Sequence, residues 1–160
     1  MAVTLSVITD SSGTSSSWVE FAELLREYAE QDLAQPHLST IWGDLDDLPA
    51  RYAAPIGGAV LLHIDGALAG CMAFTATKVD GYCELKRLFV RKAFRGQGHA
   101  ALLLRRTMDI AKQAGYARAA LSTWPDNPKA LALYRSLGFN LVMPFKEDRG
   151  QDLVFLGKDL

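Results

Sequence analysis

Cysteine is nearly missing from this chain of 160 residues: only Cys71 and Cys83 occur, and neither sits in a CxxC or Cys/His spacing. A disulfide scaffold or a sulfur-ligated metal is therefore not the expected reading, and a buried free thiol in an apolar run is. No apolar run approaches the roughly 20 residues that a membrane helix needs. The first ten residues, MAVTLSVITD, carry no basic leader and reach Asp10 early, which argues against a secretory signal. Repeats, low-complexity tracts and long linkers are absent as well. What remains is an ordinary globular balance, 49% hydrophobic and 22% charged. A chain of this length is expected to form one domain, residues 1–160, around a sizeable core. Together these features lead to the expectation of a soluble cytoplasmic protein.

Net charge is only −1, but it is unevenly spread. Residues 1–80 hold 11 acids and 3 bases, and residues 81–160 hold 7 acids and 14 bases. Either surface charge simply varies along the chain, or the second half meets an anion and the first half a cation. A pI near 6.3, with bases gathered around one glycine-rich corner rather than in a stripe, disfavours a nucleic-acid binder.

Local patterns give the order βα(α)βββαβαββ, a mixed α/β sheet with helices on both faces. LSVIT (5–9) is strand-like. WVEFAELLREYAEQDL has helical periodicity, with Trp18, Phe21, Leu24, Leu25 and Tyr28 on one face and Ser17 as a candidate N-cap. A short helix is expected in DLDDLPARYA. GAVLLHID and ALAGCMAFTAT read as two strands joined at Asp65-Gly66, a hairpin signal. YCELKRLFV is a third long strand. A helix over about 98–114 follows, with Ala100, Leu103, Leu104, Thr107, Met108 and Ala111 as its apolar stripe and Gly115 as its C-terminal cap. ARAALST is a strand, KALALYRSLGF a short helix, and FNLVM and DLVFLG are strand-like.

The segment FRGQGHAA, between the third long strand and its helix, carries the strongest chemical signal. A helix start presents backbone N–H groups without partners and a partial positive charge. Glycines let the backbone curl around an anion there. Arg91, Lys92 and Arg95 add cations nearby. The corner is not a Walker A loop, since no Gly-Lys-Ser/Thr follows. Nor is it GxGxxG, since Ala101 stands at the last glycine position. By itself the corner supports only a possible anion site.

Wider spacing sharpens this. Arg95-Gly96-Gln97-Gly98-His99-Ala100 resembles the Arg/Gln-x-x-Gly-x-Gly/Ala pyrophosphate loop of the GCN5-related N-acetyltransferases (GNAT). NPKALALYRSLGF (127–139) resembles that family's Asn-x-x-Ala-x-x-Leu-Tyr-x-x-x-Gly-Phe, matching at Asn127, Ala130, Leu133, Tyr134, Gly138 and Phe139. The resemblance is tight over 82–139. It implies the acyl-CoA N-acyltransferase fold: a mixed central sheet of about six to seven strands, flanked by about four helices, with the fourth and fifth strands splayed in a V. It implies acetyl-CoA as co-substrate, with its pantetheine arm bonded to the backbone of Leu88, Phe89 and Val90. The pyrophosphate would lie on Arg95, Gly96, Gln97, Gly98, His99 and Ala100. Lys86-Arg87 breaks the strand's alternation, which suits a bulge.

The implied reaction is direct acyl transfer from a thioester to an amine, which needs a base, an acid for the leaving thiolate and an oxyanion donor. Tyr134 matches the family tyrosine near the thioester sulfur and is the candidate acid; it also reads as a core aromatic. Glu84 is the candidate base, its pKa expected to rise on burial; it reads equally as an ion-pair partner for Lys86, Arg87 or another base. Asn127 is expected to bond the pantetheine arm, cap a helix, or do both. His99 contributes through its backbone rather than its ring. No metal ligands are expected.

The acceptor is less legible. Residues 18–52 are expected to wall its pocket, and their acids, including Glu27, Glu30, Asp44, Asp46 and Asp47, form either a cation-attracting mouth or plain solvated faces. The expected acceptor is a small-molecule amine. A protein or peptide acceptor and a non-catalytic acyl-CoA sensor are the rivals. Oligomeric state stays open, a homodimer included.

Overall fold

The computed structural model describes residues 1–33, 36–148 and 151–160. Seven strands form one sheet in the order β1-β2-β3-β4-β5-β7-β6. They are β1 (Val3–Val7), β2 (Gly58–Ile64), β3 (Ala67–Ala76), β4 (Tyr82–Val90), β5 (Arg118–Thr123), β6 (Asn140–Leu141) and β7 (Val154–Asp159). The five α-helices are α1 (Ser16–Gln31), α2 (Ile41–Asp46), α3 (Leu48–Tyr52), α4 (His99–Gln113) and α5 (Pro128–Ser136). The expected element order holds, with one helix more than expected. The segment read as one short helix divides because Pro49 cannot continue a helical hydrogen-bond ladder. Asp47 instead caps a new helix, its Oδ1 accepting from the Ala50 N–H at 3.2 Å. Ser15 rather than Ser17 precedes α1, and its hydroxyl makes no capping bond.

All sheet pairings are antiparallel except β4 with β5. The β2–β3 hairpin turns at Asp65 and Gly66, both with positive φ (49° and 82°), as a tight two-residue hairpin requires. Two apolar layers cover the sheet. Residues pointing to alternate faces of each strand separate cleanly: Val60, Leu62 and Ile64 of β2 pack with Leu103, Leu104 and Met108 of α4. Ala59 and Leu61 pack with Phe21, Leu24 and Leu25 of α1 and with Tyr52 of α3. Cys71 and Cys83 are buried free thiols, and burial pushes both up, Cys83 to about 12. Among the described residues, no helix is long and apolar enough to cross a membrane.

Two irregularities shape the functional region. First, the β4–β5 ladder is short, holding only Tyr82↔Arg118, Cys83↔Ala119 and Glu84↔Ala120. From Leu85 on, β4 has no partner on that side, while β5 stays paired with β7 as far as Thr123. Second, β4 bulges. Its register with β3 shifts between Cys71↔Phe89 and Ala73↔Lys86, so Arg87 and Leu88 together face Met72. Arg87 adopts φ 66°, the left-handed conformation that non-glycine residues rarely take.

Candidate active site

The bulge resets which way β4 side chains point. Cys83 and Leu85 lie in the α4 layer, and so do Leu88 and Val90. Phe89 lies in the α1 layer. Without the extra residue, alternation would send Arg87 into the α4 core. Instead Lys86 and Arg87, consecutive in sequence, stand on the same side of the sheet. Arg87 Nε and Nη2 donate to Asp44 Oδ2 of α2 at 3.1 and 2.8 Å, and Arg51 of α3 bonds Asp44 Oδ1 at 3.0 Å. The Tyr52 hydroxyl also donates to Asp44 in a very short hydrogen bond. Asp44 is thus a buried hub joining α2, α3 and β4.

Two cavities follow one another along β4. The first, about 310 Å³, is lined by Leu88, Phe89 and Val90, by Arg95, Gly96, Gly98, His99 and Ala100, and by Leu133 of α5. The second, about 510 Å³, is lined by Glu84 through Arg87, by Ser122–Trp124 at the end of β5, and by Tyr28, Thr40, Lys146 and their neighbours. Their linings are consecutive along β4, residues 84–87 for the second and 88–90 for the first, and from Leu85 on this stretch has no β5 partner.

The α4 end of the first cavity is built from backbone. Gly98 precedes α4 with φ 82°, no side chain caps the helix, and Gly96 has φ 77°. The N–H groups of the first turn therefore have no intrahelical partners. A Cβ at either glycine would meet nothing within 4 Å, so the space over this cradle is open to a ligand. The chemistry of that donor set, backbone N–H groups at a positive helix end, fits a phosphate. The His99 ring points inward, 4% exposed, and neither ring nitrogen has a hydrogen-bond partner.

The cations expected at this corner are largely committed elsewhere. Arg91 bonds Glu27 (2.9 Å) and Glu23 (2.8 Å) of α1 and donates to the Leu68 carbonyl. Arg95 bonds Asp32 at 2.9 Å, donates Nε to the Val90 carbonyl at 2.6 Å, and lies over the Phe89 ring. Arg91 and Arg95 thus already hold carboxylate partners, while Arg95 also lines the first cavity and Lys92 is exposed.

The structure places the remaining expected residues as follows. Glu84, 7% exposed, lines the second cavity and accepts from Lys146 Nζ at 2.5 Å. Lys146, not Lys86 or Arg87, is its ion-pair partner. Tyr134 packs edge-on against Phe139, centroids 5.9 Å apart; its neighbour Leu133 lines the first cavity, and Tyr134 lines neither cavity. Burial, helped by nearby Tyr28, pushes its hydroxyl up to about 12. Asn127 caps α5, its Oδ1 accepting from Ala130 N–H at 3.3 Å.

An acidic acceptor mouth is not what the fold builds. Glu27 is paired with Arg91, Asp44 is buried in its hub, Asp47 caps α3, and Glu30 and Asp46 are exposed. The wall of the second cavity instead presents Arg51, Lys78, Lys86, Arg87 and Lys146 together with Glu84, Glu147 and Asp148. The tail segment MPFKEDRGQDLVF, unreadable from sequence, supplies Phe145, Lys146, Glu147, Asp148, Gln151 and Leu153 to this wall. Its Arg149 and Gly150 lie outside the described residues. Only a consecutive Lys-Arg on a strand signalled these residues in the sequence.

The model of the Acetyltransferase (GNAT) family matches residues 18–139. The chain belongs to the GNAT acetyltransferase family. An N-acetyltransferase of Schizosaccharomyces pombe, itself uncharacterised, is 28% identical over 86% of this chain and 85% of its own length. Human N-acetylaspartate synthetase is 32% identical over 72% of this chain, which spans only 39% of that longer enzyme. Among solved structures, the Salmonella typhimurium protein yncA, solved with its cofactor acetyl-CoA, shares the fold at TM-score 0.73 and 19% identity, covering 99% of this chain and 94% of its own. Like other GNAT N-acetyltransferases, this one takes its acyl group from acetyl-CoA.

Proposed function

We propose that the protein transfers an acetyl group from acetyl-CoA to a primary amine of a small molecule, by direct attack within one ternary complex. One observation carries this reading: residues 84–87 of β4 line the second cavity and residues 88–90 the first, so the two linings are consecutive along a strand whose edge beyond Glu84 is unpaired. A donor held in the first would present its reactive end to an acceptor in the second. A wall drawn from α1, the 39–40 turn, β4 and the 145–153 segment suits a small molecule better than a peptide. The named activity of the N-acetylaspartate synthetases, acylation of a small amine, agrees.

In this reading acetyl-CoA supplies the activated acyl group. The α4 cradle (Gly96, Gln97, Gly98, His99 and Ala100) holds its pyrophosphate through backbone N–H groups. The free edge of β4 at Leu88 and Phe89 offers hydrogen bonds to its pantetheine arm. The Val90 carbonyl already accepts from Arg95, and the Asn127 amide nitrogen is left for the arm while its oxygen caps α5. Glu84, directly or through a water, takes the proton that the attacking amine must lose. Tyr134, protonated and poor in local partners, donates to the departing thiolate.

The test is a thermal shift. Acetyl-CoA should raise the melting temperature of the wild-type protein by mass action, and Gly98→Glu should remove that rise by placing a carboxylate in the anion cradle. No shift at millimolar acetyl-CoA would reject the reading.

A further inference from the structure

The acceptor-side wall holds a cation with no counter-ion. Lys86 is half-buried, and no carboxylate lies within 4 Å of its ammonium among the described residues; Nζ donates instead to Thr40 Oγ1 at 3.2 Å. Arg87 Nη2 donates to that same oxygen at 3.0 Å. Asp44 satisfies the Nε and Nη2 side of Arg87, and Nη1 makes no hydrogen bond among the described residues. Two cations thus converge on one neutral hydroxyl that lines the second cavity. Such an arrangement is costly unless a charge arrives to complete it. Burial first, and then Arg87, pushes the Lys86 ammonium down to about 8, the sign of a positive charge short of a partner.

We propose that Lys86, Arg87 and Thr40 seat a carboxylate of the acceptor, so that the preferred substrates are amino acids or other amines carrying a carboxylate. This rests on the acyl-transfer reading above and names the acceptor class for the same site. The charge balance favours a singly charged group. Among the described residues, five cations and three carboxylates line the cavity, and Asp44 beneath them takes a fourth positive charge, leaving a surplus of one. A carboxylate would accept from Lys86 and the open Nη1 of Arg87 in charge-assisted hydrogen bonds, with Thr40 turned to donate to it. The bulge is what makes the seat. It alone puts two consecutive side chains of β4 on one side of the sheet.

The experiment compares matched acceptors: alanine with ethylamine, and phenylalanine with phenethylamine. Free thiol release is followed at saturating acetyl-CoA, with the acetyl-CoA thermal shift run in parallel. The amino acid of each pair should be favoured in kcat/KM by about tenfold or more, the worth of one good charge-assisted contact. Lys86→Met should collapse that preference through a higher KM for the amino acid, and Lys86→Arg should restore much of it. Thr40→Val, a milder change, guards against misfolding of the Lys86 variants and should weaken the preference in the same direction. Amines used as well as their amino acids, or a preference that survives Lys86→Met, would overturn the carboxylate seat. So would an intact acetyl-CoA shift with no carboxylate-bearing acceptor turned over. Loss of the wild-type acetyl-CoA shift would instead sink the acyl-transfer reading itself.

Discussion

Glu84 carries two roles that a pair of substitutions can separate. Its carboxylate is bound to Lys146 at 2.5 Å while lining the acceptor cavity. If it takes the proton from the amine, Glu84→Gln should lower kcat by about a hundredfold, within the range of general-base effects, and leave the acetyl-CoA thermal shift intact. Lys146→Met, which removes only the partner, should cost far less in rate. Equal losses in steady-state assays of the two variants would make the pair structural. Tyr134 gives a second prediction with a definite sign. Burial raises its hydroxyl from the ordinary 10 to about 12, so the phenol keeps its proton where an exposed tyrosine would be half-ionised. Its contribution to stability is therefore complete below pH ~10 and lost as pH climbs toward 12. As a donor to the thiolate it should impose no alkaline fall in kcat up to pH ~10. Tyr134→Phe should lower kcat about tenfold or more with little change in acetyl-CoA affinity; an unchanged rate would remove Tyr134 from the chemistry.

At the scale of elements, the hub around Asp44 decides whether the acceptor wall exists. Asp44 joins Arg87 of β4, Arg51 and Tyr52 of α3, and its own α2, with 2% of its side chain exposed. Removing one member of a buried ion pair leaves the other desolvated and unpaired, at a cost of about 3–5 kcal/mol. Asp44→Ala should therefore destabilise the fold by about that much in urea titration, far more than loss of exposed Asp46. The hub also anchors the bulge. A left-handed Arg87 holds only because Asp44, Tyr52 and Thr40 fix its guanidinium. Little of this could be read beforehand. Helix periodicity predicted α1 and α4, because their apolar stripes at Phe21, Leu24 and Leu25 and at Leu103, Leu104 and Met108 reflect local spacing. A β-bulge shows in a sequence only as broken alternation, and nothing in Lys86-Arg87 says which partner 43 residues away will hold the arginine.

Across the whole molecule, part of the uneven charge is matched inside the chain: three of the fourteen bases of the second half, Arg87, Arg91 and Arg95, pair with acids of the first. The acid-rich half and the base-rich half face each other in the pairs Glu23/Glu27–Arg91, Asp32–Arg95 and Asp44–Arg87. They stitch α1 and α2 to β4 and to the loop behind it. Those three arginines form an internal seam and are not free surface cations. In the proposed reading the cofactor cradle is built of helix and backbone dipoles, with Arg91 and Arg95 beside it already ion-paired. Acetyl-CoA affinity should then weaken by less than about threefold when salt rises from about 50 to about 300 mM, since few free charges are left to screen. A loss of tenfold or more by calorimetry would show that unpaired cations carry the binding.

Sequence by itself determined the family and its acyl donor, through the glycine corner before α4 and the Asn127–Tyr134–Gly138–Phe139 pattern. These are local devices, because a backbone cradle needs left-handed glycines at fixed spacing. It also determined the order of elements, whose periodicities are short-range. Only the tertiary structure decided the acceptor side. Thr40, Lys86 and Lys146 are brought to one cavity by sheet splay, by a bulge and by a tail segment of little regular structure, and no local spacing encodes that meeting. The same physics explains why the two readings of the charge could not be separated from the sequence. A chain records which residues are charged, but only the fold decides which of those charges neutralise one another.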